Sequence, residues 1–364
     1  MPLMLHEHRI LPPCATIGIM GGGQLGRMMA MAAASLGYHV HIFTPEEDCP
    51  AAEVARYVTV APYEDLAAVE AFAHSVDVMT LEFENIPYKA AQAAQAVKPF
   101  YPSPDIVACA QHRGREKQCA TDAGVETPNY QIADSYEGLL RAVEHVGTPC
   151  IIKTTTMGYD GKGQYRVQDA SQCTDAWRAL GMREVIIEAF VPFVAEASVM
   201  VARGQDGTMH TFPVTRNEHE GGILRTSYVP SGLSATTQTA LEHAACAMAQ
   251  RAELVGLLAF EFFILADGSI CFNEMAPRPH NSTHWTMDAC NISQFEQLMR
   301  ICAGLPLKKP TLRATCRMVN LIGDDMNELA KWHHDPHAHV HVYGKAECRE
   351  GRKMGHVNIV GDAL

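Results

Sequence analysis

Two glutamates in neighbouring apolar runs constrain this chain more than any other feature. Glu261 lies inside Leu257-Leu258-Ala259-Phe260-Glu261-Phe262-Phe263-Ile264, and Glu274 lies in Cys271-Phe272-Asn273-Glu274-Met275. Each run is solidly apolar or alternating, as adjacent strands are, and Ala266-Asp267-Gly268 between them carries hairpin turn chemistry. Such a hairpin brings both acids to one end of a sheet, where like charges repel unless a divalent cation bridges them. The competing arrangement is one buried acid paired with an arginine and one exposed acid, the commoner fate of a strand glutamate. Pro277-Arg278-Pro279-His280-Asn281-Ser282, directly after the second acid, tips the balance toward Mg²⁺ on Glu261 and Glu274.

The start of the chain has a different logic. Ala15 to Met20 reads as a buried strand, and Gly21-Gly22-Gly23-Gln24-Leu25-Gly26 leads into a helix with Leu25, Met28, Met29, Ala32, Ala33 and Leu36 on one face. Gly37 ends that helix, His39 to Thr44 is a second strand, and Val76 to Phe83 resembles a third. This βαβ opening predicts a parallel sheet that closes near Pro102-Ser103-Pro104. From Glu116 the pattern changes to helix, an Ala133-Asp134 loop, helix, the strand Cys150 to Lys153 and a glycine-rich loop from Gly158 to Gly163. A strand pair follows at Val185 to Ile187 and Ala197 to Arg203, then a helix from Thr237 to Leu254. The tail from Thr311 reads as a last small module with a strand around Val340-His341-Val342-Tyr343.

At 364 residues the chain calls for two or three packed units rather than one core. A net charge of -12 with no basic tract argues against nucleic acid or an anionic membrane as a general partner. Anionic substrates must then be held by a few local cations. Twelve cysteines without a C-x-x-C pair fit a reducing cytosol, and Met1 to Cys14 lacks the apolar core of a leader. No stretch approaches the length of a membrane span.

The first glycine cluster fits G-x-G-x-x-G at Gly21, Gly23 and Gly26, with Glu46 and Glu47 about 20 residues on. Its physical content is an anion site at a helix N-terminus, for a pyrophosphate or for a single phosphate, or a tight turn with no ligand. The second cluster, Gly158-Tyr159-Asp160-Gly161-Lys162-Gly163-Gln164, follows Lys153 but is no Walker loop, since Gly163 stands where Ser or Thr is required. Glycine amides with one lysine behind and one within suit a triphosphate, although a surface hairpin has the same composition. Glu188-Ala189-Phe190-Val191 and Glu196 offer backbone groups on an apolar ledge for adenine and a carboxylate for ribose hydroxyls.

Taken in order, Lys153, the loop 158–164, Glu188 to Val191, Glu196, Glu261 and Asn273-Glu274 resemble the ATP-grasp superfamily. The stretches Gly21 to Met28, Glu82-Phe83-Glu84-Asn85-Ile86-Pro87, Gly158 to Gln164, Asn273 to Arg278, Tyr343-Gly344-Lys345 and Arg349 to His356 are similar to the N5-carboxyaminoimidazole ribonucleotide synthetases of purine biosynthesis. The resemblance spans about residues 15 to 360. It implies an α/β, ATP-grasp fold with an N-terminal doubly wound, Rossmann-like domain, a central lid subdomain and a C-terminal mixed-sheet domain. Residues 1–14, with His, Glu and Pro, read as a flexible extension; the resemblance implies an N-terminal domain at 15–110, an ATP-grasp domain at 111–310 with its lid at about 120–190, and a C-terminal module at 311–364.

The same resemblance implies ATP contacts at Arg113, Lys153, Gly158, Tyr159, Asp160, Gly161, Lys162, Gly163, Gln164, Glu188, Ala189, Phe190, Val191, Glu196, His219, Asn273 and Glu274. It gives Mg²⁺ to Glu261 and Glu274, and it gives the aminoimidazole ribonucleotide pocket to the first glycine loop, Asp160, Arg278, Lys345 and Arg352. The implied substrates are ATP, bicarbonate and 5-aminoimidazole ribonucleotide, joined through carboxyphosphate in a cytoplasmic homodimer. Thr283 departs from the family, which usually has glycine there, and costs roughly 1 to 2 kcal/mol if that position needs positive φ.

Three other functions are compatible with parts of the pattern. A nicotinamide oxidoreductase explains the first loop but leaves the series from Lys153 to Glu274 without purpose. A non-catalytic nucleotide sensor would not need both metal acids and both lysines. Formate-dependent glycinamide ribonucleotide transformylase is the nearest alternative within the superfamily. The run from His333 to His341 reads as a polar loop entering the last strand rather than a metal site, and Met28, Met29 and Met31 read as helix packing.

Overall fold

The computed structural model describes residues 10–158 and 163–363. Four parallel strands open the chain: β1 (Thr16–Met20), β2 (His39–Thr44), β3 (Tyr57–Val60) and β4 (Val78–Leu81), in spatial order β3-β2-β1-β4. Ile17 and Ile19 on β1 and Met79 on β4 are fully buried, as interior strands of a parallel sheet require. β3 was not expected from the sequence. It is an edge strand with Tyr57, Val58 and Val60 exposed, so no burial pattern marks it, and the expected third strand is β4. Four helices accompany this sheet, α1 (Gln24–Ser35), α2 (Leu66–His74), α3 (Tyr88–Val97) and α4 (Pro104–Ala110). On α1 the buried Leu25, Met28, Met29 and Ala33 follow the predicted face.

A second sheet is antiparallel and small. After α5 (Arg113–Asp122) come β5 (Tyr130–Ala133), α6 (Tyr136–Val146), β6 (Cys150–Thr154), β7 (Gln164–Val167), α7 (Cys173–Ala179) and β8 (Val185–Ala189), with strand order β5-β8-β6-β7. Leu139, Val143, Ile152, Val167 and Ile187 form its own core. The segment 130–133, expected to lead into a loop, is the edge strand β5.

The third sheet has nine strands: β9 (Ala195–Arg203), β10 (Met209–Thr211), β11 (Thr215–Glu220), β12 (Ile223–Val229), β13 (Gly256–Ile264), β14 (Ile270–Ala276), β15 (Ala314–Ile322), β16 (Ala338–Val342) and β17 (Lys353–Ala363). Their order is β14-β13-β9-β11-β12-β15-β17-β16, with β10 beside β9. Every pairing in it is antiparallel, so this sheet is not mixed; among the described residues, parallel pairing is confined to the N-terminal sheet. The tail strands β15 to β17 are hydrogen-bonded into this sheet as its continuation.

The expected strand pair around residues 185–203 does not form. β8 lies between β5 and β6, whereas β9 lies between β13 and β11. Pro192, which has no N–H to donate, falls in the crossing segment, and Val194 N–H already donates to Ile264 O of the larger sheet at 2.8 Å.

Alternation along β13 decides what each face touches. Leu258, Phe260, Phe262 and Ile264 pack with Leu241, Ala245 and Met248 of α8 (Ala235–Arg251), while Leu257 and Ala259 share a core with Leu25, Met28 and Met29 of α1. Each such buried Leu, Ile, Phe or Met side chain contributes about 1.5–3 kcal/mol. Glu261 falls on the α1-facing parity, beyond the point where apolar partners fill that face.

Candidate functional site

The predicted hairpin exists, and its register places Glu261 directly opposite Glu274 on β13 and β14. A shift in register after Glu261 sits at this point of the ladder. Burial and the neighbouring Glu274 push the Glu261 carboxyl up, while His219 and Lys353 draw it back. Glu274 is held low: burial opposes its charge, but Arg113 at 3.0 Å and the more distant Lys153 outweigh it. The pair is therefore one acid that resists ionisation and one that does not.

A second cluster sits where α5, β6 and β8 meet. Lys153 on β6 donates to Glu188 on β8 at 2.6 Å, and Lys117 on α5 approaches the other oxygen of Glu188 at 3.2 Å. Burial would raise Glu188, yet Lys117 and Lys153 hold it down at about 2. Burial also lowers Lys153, with Glu188 opposing. Lys117 is wholly buried, cross-linking α5 to the Phe272 and Asn273 carbonyls of β14. Glu116, also buried, accepts from Met275 N–H at 3.1 Å and is pushed up to about 8 by burial. Neither Glu116 nor Lys117 was singled out in the sequence. The signal was present, since Arg113, Glu116 and Lys117 fall at i, i+3 and i+4 on one helical face.

The crossing segment after β8 forms a ledge. Ala189 and Phe190 N–H groups donate to Asn129 and Pro149 carbonyls at 2.8 and 3.1 Å, and Val191 O accepts from Phe193. Among the described residues no partner is recorded for Val191 N–H, and Phe193 stacks on Phe263 at 4.6 Å. Further along, Glu196 on β9 and His219 on β11 are bonded at 2.7 Å. Burial works against a charged His219, but Glu196 and the more distant Glu261 and Glu274 raise it. Of the glycine-rich loop, Gly158, Gly163 and Gln164 are described, whereas Tyr159, Asp160, Gly161 and Lys162 lie outside the described residues. Gly163 has φ +72°, and a Cβ there would lie 2.8 Å from Thr154 Oγ1.

The first glycine loop is engaged by the protein itself. Gly23 N–H donates to Glu82 Oε1 at 2.9 Å, and a Cβ on Gly21 would meet Glu82 at 2.4 Å. A Cβ on Gly22 would likewise lie 2.4 Å from Cys49 Sγ, so these glycines are demanded by close packing whatever ligand they meet. Burial raises Glu82. Two residues on, Glu84 takes both nitrogen arms of Arg278, with Nη2 to Oε1 at 2.7 Å, and this holds Glu84 low against its burial. Arg278 is thus brought beside the Glu82-Phe83-Glu84 stretch. His280, unassigned from sequence, places Nε2 3.4 Å from Glu261 and is kept neutral by burial, down at about 3.

The C-terminal basic residues occupy the connection between β16 and β17. Lys345 Nζ donates to Lys353 O at 2.7 Å, and Arg352 donates to Glu347 O at 2.9 Å. A Cβ on Gly344 would lie 3.1 Å from Glu53 Oε2, so the turn carrying Lys345 reaches the N-terminal domain. Lys353, missed from sequence, acts electrostatically on both Glu261 and His280. The histidine run splits: His333 and His334 end a short helix, while His341 and His339 on β16 approach Asp288 at 2.8 and 3.6 Å. No group of three or more potential metal ligands is found among the described residues.

Three families match consecutive parts of the chain. A ribonucleotide synthetase preATP-grasp domain matches residues 14–111, an ATP-grasp domain 118–295, and a phosphoribosylaminoimidazole carboxylase C-terminal domain 316–364. N5-carboxyaminoimidazole ribonucleotide synthase of Brucella melitensis is 44% identical, covering 96% of this chain and 97% of its own. The crystal structure of an N5-carboxyaminoimidazole ribonucleotide synthetase in complex with ADP superposes with a TM-score of 0.93 at 40% identity, over 97% of this chain and 94% of that one. The Aspergillus clavatus synthase, solved with ADP and 5-aminoimidazole ribonucleotide, gives a TM-score of 0.90 at 26% identity, over 96% and 94% of the two chains.

Proposed function

This chain belongs to the N5-carboxyaminoimidazole ribonucleotide synthase family, and from that premise we propose how its residues divide the work. The protein is an ATP-grasp ligase that carboxylates 5-aminoimidazole ribonucleotide to N5-carboxyaminoimidazole ribonucleotide, using ATP, in purine biosynthesis. Our reading of the chemistry is that a bicarbonate oxygen attacks the γ-phosphorus and ADP leaves. The exocyclic amine of the ribonucleotide then attacks the carboxyl carbon, directly or as CO₂ released in place, with loss of phosphate and of one amine proton.

The observation that carries the site assignment is the direct register of Glu261 against Glu274, with Arg113 bonded to the second acid. Hard oxygen donors with no third protein ligand beside them among the described residues fit Mg²⁺, which takes one or two carboxylates and completes its shell with phosphate oxygens and water. When bound, Mg²⁺ offsets charge on the β- and γ-phosphates. Lys153 and Arg113 supply the opposing cations, and Lys117 with Glu188 holds Lys153 in place. Val191 N–H faces the adenine edge, and Glu196, oriented by His219, takes the ribose hydroxyls. Gly158, Gly163, Gln164 and Asn273, together with Tyr159, Asp160, Gly161 and Lys162, complete the nucleotide set in this reading.

The acceptor half is assigned to the first glycine loop, Arg278, Lys345, Arg352 and Asp160. Arg278 is oriented for it by Glu84. The protein acts as a cytoplasmic homodimer in this reading; no described helix is long and apolar enough to cross a membrane.

The test is to measure ADP formation with Mg²⁺, bicarbonate and the ribonucleotide each left out in turn. Fast turnover is expected only with all three. Labelled bicarbonate should appear in an acid-labile product that persists only under alkaline conditions, and turnover that depends on formate instead would overturn the assignment.

A further inference from the structure

Glu184 lies just before β8 and has no part in the assignments above. Its Oε1 accepts from Thr155 Oγ1 at 2.8 Å and from His112 Nε2 at 3.1 Å. His112 is the N-cap of α5, and its Nδ1 accepts from Gly114 and Arg115 N–H at 3.2 and 3.4 Å. A ring nitrogen that accepts carries no hydrogen, so the hydrogen on Nε2 is the one aimed at Glu184. The backbone repeats the connection: Arg113 N–H donates to Thr155 O at 2.9 Å, and Thr155 N–H to Glu184 O at 3.4 Å. One carboxylate therefore joins three elements at one end. They are α5 with Arg113 and Lys117, the exit of β6 after Lys153, and the entry of β8 before Glu188.

That convergence has a consequence for binding. The buried contacts among Lys117, Lys153 and Glu188 fix the middle of this junction, but Arg113 sits at the first turn of α5, where helices fray. Its guanidinium lies between Glu274 and Gly158 O, at 3.0 and 3.5 Å, so a small rotation of the helix end would separate it from both. The Glu184 side chain is 45% exposed and that of His112 20%, so neither is a core packing residue.

We propose that Glu184 is a positioning residue for ATP: through His112 and Thr155 it locks the first turn of α5 to β6 and β8, and so sets Arg113 against Lys153 and Glu188. The inference rests on the assignment of those three residues to the nucleotide site.

Steady-state ADP formation by the full-length enzyme, varied separately in ATP and ribonucleotide, tests it with Glu184→Ala, Glu184→Gln and Lys153→Ala. Glu184→Ala should raise KM for ATP about tenfold, as loss of a charge-assisted contact implies, while KM for the ribonucleotide stays within about twofold. Glu184→Gln keeps the accepting Oε1 and should recover most of the affinity. A purely structural role would instead lower the melting temperature and leave KM for ATP where it was, which overturns the proposal, as does a glutamine variant impaired as much as the alanine one. Should Lys153→Ala bind ATP normally, the nucleotide assignment fails and this inference with it; normal Glu184→Ala beside a defective Lys153→Ala sinks the inference alone.

Discussion

Glu274 shows what one side chain does in two settings. Opposite Glu261 it meets like charge, and beside Arg113 it meets opposite charge, so it stays ionised and available to a cation. Glu274→Gln is nearly isosteric but a poorer Mg²⁺ ligand, so ADP formation should fall at least about a hundredfold while the melting temperature changes little. Unchanged ADP release would remove Glu274 from the site. Lys117 is the opposite case, a charge whose partner is buried with it. Lys117→Met should cost about 3 kcal/mol, the low end for breaking a buried pair because Lys153 still faces Glu188, and chemical denaturation measures it. The pH dependence has a definite sign. Glu188 has its folded pKa depressed to about 2, below its unfolded value near ~4.3, so its stabilisation is complete above the unfolded value. It is lost as pH falls from there through about 2. Melting temperature should drop across that window, and less steeply in Glu188→Gln.

Elements, rather than single side chains, decide what the glycines and Thr283 do. Gly163 must adopt φ +72° and lie against Thr154, whose N–H donates to Gly163 O at 2.9 Å where β6 and β7 pair. Gly163→Ala is expected to cost about 1–2 kcal/mol of local stability and to raise KM for ATP several-fold, with the ribonucleotide unaffected. Kinetics that shift for both substrates alike would contradict this placement. Thr283 is different. It is buried in the single turn Asn281–Thr283 and is absent from the non-glycine residues at positive φ, so the strain expected if this position needed a glycine conformation does not arise. Thr283→Gly should therefore bring no gain in ribonucleotide affinity and should lower stability by about 1 kcal/mol, read by thermal melting.

At the scale of the whole molecule, the tail closes the circuit between the first and third sheets. Lys345 reaches the N-terminal domain through the Gly344 turn and bonds to Lys353 at the start of β17, which runs through the sheet that carries Glu261. Lys345→Ala and Arg352→Ala should accordingly raise KM for the ribonucleotide far more than KM for ATP, and equal effects on both would contradict the placement. The sequence by itself determined the local parts: the glutamate hairpin, the helical face of α1, and β2 at its observed ends, because hairpin turns, period-two alternation and period-3.6 stripes are written within a few neighbouring residues. The edge strands β3 and β5 escaped it, since they are half exposed and carry no such stripe, and the interior strands β11, β12, β15 and β17 were not read from it either. Only the tertiary structure decided which distant groups meet. Arg113 finds Glu274 across 161 positions and Arg278 finds Glu84 across 194, and these contacts depend on how three sheets are stacked, which no local period encodes. The same stacking separates β8 from β9, neighbours in sequence that belong to different sheets, because the chain between them carries Pro192 and turns from the small sheet into the large one.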